Sequence, residues 1–195
     1  MAGFDVRHIF NTTVIAASHF QSLHGITGAL VNNWQIAPLI RLTSGLPINI
    51  TSGTDNSLTG QNLDRPNFIG LNPSAAYTHK KITQSAAGNR AYLNRAAFTQ
   101  NAPGTFGNVS RNAFRGPKSY NLDVSVSRNF PLYERLAFNI RLEAFNVFNH
   151  PNFPNFAPPP VNTAAFTTAL NSGTFGYINA AADPRIFQLA GKFTF

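Results

Sequence analysis

Three segments of the chain alternate apolar and polar residues with a period of two, and no other feature limits its fold so sharply. From Tyr120 to Phe130, Tyr120, Leu122, Val124 and Val126 point one way, and Asn121, Asp123, Ser125, Ser127 and Asn129 the other. From Arg135 to Ala144, the apolar set Leu136, Phe138, Ile140, Leu142 and Ala144 alternates with Arg135, Asn139, Arg141 and Glu143. From Arg185 to Phe195, Phe187, Leu189, Gly191, Phe193 and Phe195 alternate with Gln188, Ala190, Lys192 and Thr194. Successive residues of a strand face opposite sides, so each segment is a strand with one apolar and one polar face. A helical period of 3.6 would scatter the same apolar residues around an axis. Pro131, which donates no ladder bond, is expected to stop the first strand, leaving Leu132, Tyr133 and Glu134 to complete a hairpin.

Two further strands precede these. Trp34, Ile36, Pro38, Ile40 and Leu42 alternate with Gln35, Ala37, Leu39, Arg41 and Thr43, with Pro38 as the weak point, before SGLPINITSG continues or breaks the strand. His8 to His19 is strand-like by its Ile, Val, Thr and Phe content. Between the five strands the connections run short (Phe20 to Asn33), very long (Ser52 to Ser119), short (Pro131 to Tyr133) and long (His150 to Pro184). Antiparallel strands crossing an outer membrane produce this rhythm, with short periplasmic turns and long extracellular loops. The long connections are rich in Gly, Asn, Pro, Ser and Thr, and neither reads as an independent domain. The expected fold is therefore all-β: antiparallel up-and-down strands forming a partial transmembrane β-barrel, an open curved sheet of about five strands with two long extracellular loops.

Composition supports a membrane sheet over a soluble one. Charged residues make up 11% of the 195 residues, against roughly 25% in ordinary soluble domains. The charged strand residues Asp123, Arg135, Arg141, Glu143 and Lys192 all lie opposite the apolar faces, where a barrel has its wet lumen. Asp123, Arg135, Arg141 and Glu143 are the lumen-facing candidates. Arg128 alone falls on an apolar face, close enough to the strand end for a lipid-facing arginine to cost only about 0–1 kcal/mol.

Other chemistries find little support. Of the 15 basic residues, Arg65, Lys80, Lys81, Arg90, Arg95, Arg111, Arg115 and Lys118 are dispersed through one loop, with no nucleic-acid-binding motif beside them. The region could meet lipopolysaccharide phosphates or an anionic ligand, or be a solvated loop. The histidines, His8, His19, His24, His79 and His150, have no metal-ligand spacing, and the absence of cysteine removes thiolate sites. Asp5 with Arg7 and His8 has no nucleophile motif nearby, FRGP from Phe114 to Pro117 is a loop-to-strand corner, and Phe148 to Pro151 ends a strand. No catalytic residue, cofactor site or metal site is expected. The competing readings are a soluble all-β binding or adhesion module, and a small porin-like barrel, which would need at least about eight strands.

Five stretches in order carry a resemblance over nearly the whole chain: DVRHIFN, NWQIAPLIRLTSGLPINI, RNAFRGPKSYNLDVSVSRNF, RLAFNIRLEAFNVFNHPNF and DPRIFQLAGKFTF. The chain resembles the carboxy-terminal barrel region of TonB-dependent receptors of the Oar-like, acidobacterial type. The resemblance implies a place in the Gram-negative outer membrane and a role in ligand uptake without catalysis. It implies as partners outer-membrane lipid and lipopolysaccharide, the barrel-assembly machinery, the remaining barrel and plug of a full receptor, and an unidentified ligand. The last strand is similar to the signal read by that machinery, carried here by Gln188, Phe193 and Phe195, with Ala190 where glycine is usual. MAGFDVRHIF shows no export signal, and five strands leave two open edges in a lipid setting where every backbone group must be paired. Residues 1–195 are thus expected to be one carboxy-terminal receptor fragment, with long loops over 52–119 and 150–184 and no plug domain.

Overall fold

The computed structural model describes residues 2–78, 90–153, 167–178 and 180–195. His79, Lys80, Lys81 and most of the proline-rich stretch after Phe153 lie outside the described residues. In chain order the elements are β1 (Ile9–Thr13), β2 (Ala16–Ala17), α1 (Gly25–Val31), β3 (Trp34–Thr43), β4 (Pro47–Ile48), β5 (Asn67–Phe68), β6 (Arg90–Ala91), β7 (Phe98–Thr99), β8 (Phe114–Arg115), β9 (Ser119–Tyr133), β10 (Leu136–Phe145), β11 (Tyr177–Ile178) and β12 (Ile186–Thr194). They divide into two compact units, a sheet unit of Ile9–Leu42, Tyr120–Pro151 and Asp183–Phe195, and a loop unit of Met1–His8, Thr43–Ser119 and Asn152–Ala182.

The sheet unit is the expected open, mostly antiparallel sheet, with neighbours in the order β1-β3-β9-β10-β12 and β2 also against β3. β3, β10 and β12 are 10, 10 and 9 residues long, within the roughly 9–11 residues that a tilted strand needs to cross a bilayer core. β10 pairs with β12 without interruption from Ala137↔Thr194 to Phe145↔Ile186, and with β9 from Ala144↔Val124 to Ala137↔Pro131.

Three local features depart from the sequence expectation. Pro131 does not stop β9: the register shifts between Leu136 and Ala137, so that Leu136 faces Tyr133 and Ala137 faces Pro131. Leu132 is the extra residue of a bulge, an arrangement in which proline is tolerated because the ladder is already interrupted. The turn is then Glu134 and Arg135, with Glu134 at φ 34°, a left-handed conformation suited to a tight hairpin. Arg135 accordingly sits in a turn and not on a strand face. The first strand is broken into β1 and β2: the Val14 N–H reaches the Pro38 carbonyl at 3.3 Å, but Pro38 has no N–H to return the bond. Finally, the short connection before β3 holds α1, closed by Asn32, whose side chain accepts from the Phe20 N–H and donates to the Phe20 carbonyl at 2.6 and 3.2 Å.

The loop unit draws on both long connections. Its core is built from Ile48, Ile50, Leu93, Phe98, Val109, Phe114, Leu170 and Phe175, all buried, and Phe98 meets Phe114 and Phe175 edge-on at 5.4 and 5.6 Å. Two-residue ladders join β4 to β8, β5 to β7 and β6 to β11. SGLPINITSG therefore breaks β3 at Thr43 and starts this unit. A Cβ on Gly45 would lie 1.8 Å from the Gly116 carbonyl oxygen, which explains a glycine at that crossing. Arg115 forms an ion pair with Asp5 and donates to the Gly45 carbonyl at 3.1 Å, so Asp5 and the FRGP corner serve one structural pairing. Hydrogen bonds led by that from the Ser57 hydroxyl hold the Asp64 carboxyl below the usual carboxylate range, against the opposing effect of burial. Burial, reinforced by Tyr77, pushes the Tyr92 phenol upward.

Candidate functional site

Side-chain parity sorts the sheet unit into two surfaces. On one, register aligns Phe130, Phe138 and Phe193; then Arg128, Ile140 and Gly191; then Val126, Leu142 and Leu189; then Val124, Ala144 and Phe187. Phe138 lies 4.7 Å from Phe193 and 6.3 Å from Phe130 between ring centroids. On the other surface lie Asn129, Asn139 and Lys192, then Ser127, Arg141 and Ala190, then Ser125, Glu143 and Gln188.

Among the described residues no side chain of the apolar surface is buried. Leu189 is 69% exposed and Phe193 60%, whereas Leu93 in the loop unit is 1% exposed. Among the described residues every buried apolar side chain belongs to the loop unit. A continuous exposed apolar surface of this kind is unfavourable in water by roughly 25 cal/mol for each Å² and is stable when hydrocarbon covers it.

The polar surface holds the candidate site. Gln35, Ala37, Ser125, Ser127, Arg141 and Glu143 line a concavity of about 230 Å³. The Arg141 guanidinium and the Glu143 carboxylate are 3.6 Å apart. Small serines and alanines on neighbouring strands leave the room that these two long side chains occupy. Such a surface can offer hydroxyls, an amide and a paired cation and anion to a polar solute, and it contains no nucleophile–base arrangement.

Of the four expected lumen residues, Arg141 and Glu143 come together here. Asp123 lies on the same side by parity but is engaged in structure, accepting from the Asn121 side chain at 2.8 Å and the Asn146 N–H at 2.9 Å, which fixes the chain where β10 ends. Arg135 is in the turn. Gln188 faces Glu143 across the ladder and Phe193 faces Phe138, while Phe195 lies beyond the strand and is exposed. Gln35, Ala37, Ser125 and Ser127 were not singled out as site residues; their parity with Arg141 across neighbouring strands was the available signal. In the loop unit a separate cavity of about 550 Å³ is lined by Arg95, Ala96, Phe98, Thr99, Gln100 and Leu170, with the Arg95 guanidinium spent on the Leu170 and Ser172 carbonyls at 2.6 and 2.9 Å. Among the described residues no group of acidic and histidine side chains is arranged to hold a metal ion.

Strands of membrane-crossing length, with one face bare and apolar and the other polar, define the wall of a transmembrane β-barrel. The family model described as an outer membrane beta barrel domain matches residues 1–188. The chain belongs to that family, and so to the barrel proteins of the outer membrane. No curated protein and no solved structure matches it.

Proposed function

We propose that this wall belongs to a TonB-dependent receptor and serves ligand uptake across the outer membrane, with no chemistry performed on the ligand. In this reading the long loops face outward, α1 and the Glu134–Arg135 turn face the periplasm, and the surface of Arg141 and Glu143 lines a solute path. The observation that carries it is the polar concavity: an arginine and a glutamate spaced among serines on a wet face suit a lumen wide enough for water and polar solutes. A barrel of about eight strands fills its interior with side chains instead. Further strands would pair with the exposed edges of β1 and β12, since unpaired backbone groups are costly in lipid. Gln188, Phe193 and Phe195 would contact the assembly machinery, and the exposed basic residues Arg111 and Lys118 of the loop unit would face lipopolysaccharide phosphates.

The test compares a host strain carrying the intact gene with its deletion, growing on limiting supplies of chelated metals, cofactors and oligosaccharides. The proposal expects one nutrient class to be taken up only with the gene present, and uptake to collapse when a protonophore dissipates the inner-membrane gradient. Uptake that is passive and insensitive to the protonophore would instead support the porin-like alternative.

A further inference from the structure

The connection from Phe20 to Trp34 contains no Asp, Glu, Lys or Arg. Within it Ile26 and Leu30, one helical turn apart on α1, are 81% and 60% exposed. A solvent-exposed periplasmic turn has no use for such a face. Two contacts make it continuous with the lipid-facing side of the sheet. Arg128, on the apolar surface of β9, donates to the Ala29 carbonyl and lies over the rings of Trp34 and Phe130, 5.1 and 4.6 Å from their centroids. Trp34 in turn donates from Nε1 to the Leu30 carbonyl at 2.8 Å. An indole with its N–H satisfied and a cation held on aromatic faces is the chemistry of the headgroup boundary, where tryptophan and arginine bridge apolar and wet surroundings.

Beside α1 the apolar surface is hollow. Ala16, Phe20, Trp34, Ile36 and Val126, with Ala17, Ser18 and Gln35 also on its wall, line a groove of about 360 Å³, open because Ala16 stands opposite Ile36 where a larger side chain would fill it.

We propose that this foot of the sheet seats a phospholipid of the periplasmic leaflet, with one acyl chain along the groove and Ile26 and Leu30 embedded at the headgroup–acyl boundary. The inference rests on the orientation given above, with α1 at the periplasmic end. α1 is thereby an interfacial anchor and not merely a linker.

The chain has no cysteine and a single tryptophan, which makes the test direct. Single-cysteine variants Ile26→Cys, Leu30→Cys, Leu189→Cys and Leu71→Cys carry an environment-sensitive dye, with the full chain in vesicles of phosphatidylethanolamine and phosphatidylglycerol. The dyes at Ile26 and Leu30 are expected to shift to the blue and to be quenched by lipid spin-labelled near the headgroup. The dye at Leu189 should be quenched by lipid labelled deep in the chain, and that at Leu71 by neither. Dyes at Ile26 and Leu30 that stay aqueous while Leu189 is in lipid overturn the proposal and leave the barrel wall intact. An aqueous Leu189 overturns the wall and the proposal with it. For the groove, Ala16→Phe is expected to lower quenching of Trp34 by acyl-brominated lipid while the Leu189 dye stays deep; undiminished quenching overturns the acyl-chain seat.

Discussion

Replacing Leu189 by arginine separates a membrane wall from a sheet in water by the size of its effect. Leu189 lies near the middle of β12, pairs with Leu142, which pairs with Val126, and is 69% exposed. On a soluble surface, exchanging so exposed a leucine for a charge would change stability by no more than about 0.5 kcal/mol in either direction. Facing the bilayer midplane, the same arginine costs about 2–4 kcal/mol, roughly 30-fold to 700-fold in the folding equilibrium at 1.4 kcal/mol per factor of ten. Its neighbour Gln188 points to the other side and faces Glu143, so Gln188→Arg should be neutral or slightly stabilising by virtue of an opposite-charge cross-strand pair, worth about 0.2–1 kcal/mol. The assay is urea unfolding of each variant in lipid vesicles, followed by Trp34 fluorescence. Equal effects of the two arginines, or a larger cost for Gln188→Arg, would refute the assignment of faces.

Three further outcomes are expected. Leu93→Ala, in the core of the loop unit at 1% exposure, should destabilise that unit by about 2–5 kcal/mol, read as faster proteolysis of the loops with no loss of protected sheet strands. Asp64 has its pKa lowered from 3.8, so its contribution to loop-unit stability is present above that pH and is lost as pH falls through the lower folded value; Asp64→Asn should flatten the acid limb of a pH titration followed by proteolysis. Glu143→Gln should change stability by less than about 1 kcal/mol because the pair with Arg141 is partly solvated, and should still alter uptake of charged solutes measured in whole cells.

Legibility in the sequence followed the period of each element. β9, β10 and β12 bury no apolar side chain deeply in protein, so their alternation reports the two-sided environment directly, and their faces were readable residue by residue. Arg135 was misplaced because the alternation of Leu136 onward was extended backward by one residue, past a turn that the bulge at Leu132 shifts. Pro131 misled for the same reason, since the bulge that excuses it leaves no mark in composition. The loop unit stayed hidden because its ladders are two residues long and its core joins Ile48, Phe98 and Phe175 from segments far apart in the chain, a pattern with no period to detect. α1 was missed because seven residues containing two glycines carry little helical signal. At the candidate site Arg141 and Glu143 stood out as charges on a strand, whereas Gln35, Ala37, Ser125 and Ser127 matter by being uncharged and adjacent to them; parity gives their face, and the order of strands brings them together.

The central claim is that one face of this sheet meets lipid and the other water. It is tested most directly by single-cysteine substitution at successive positions from Phe187 to Phe193 on β12, with the protein assembled in outer membranes and treated with a water-soluble maleimide. The account predicts labelling at 188, 190 and 192 and protection at 187, 189, 191 and 193. Uniform labelling along the strand, or protection without alternation, would contradict it.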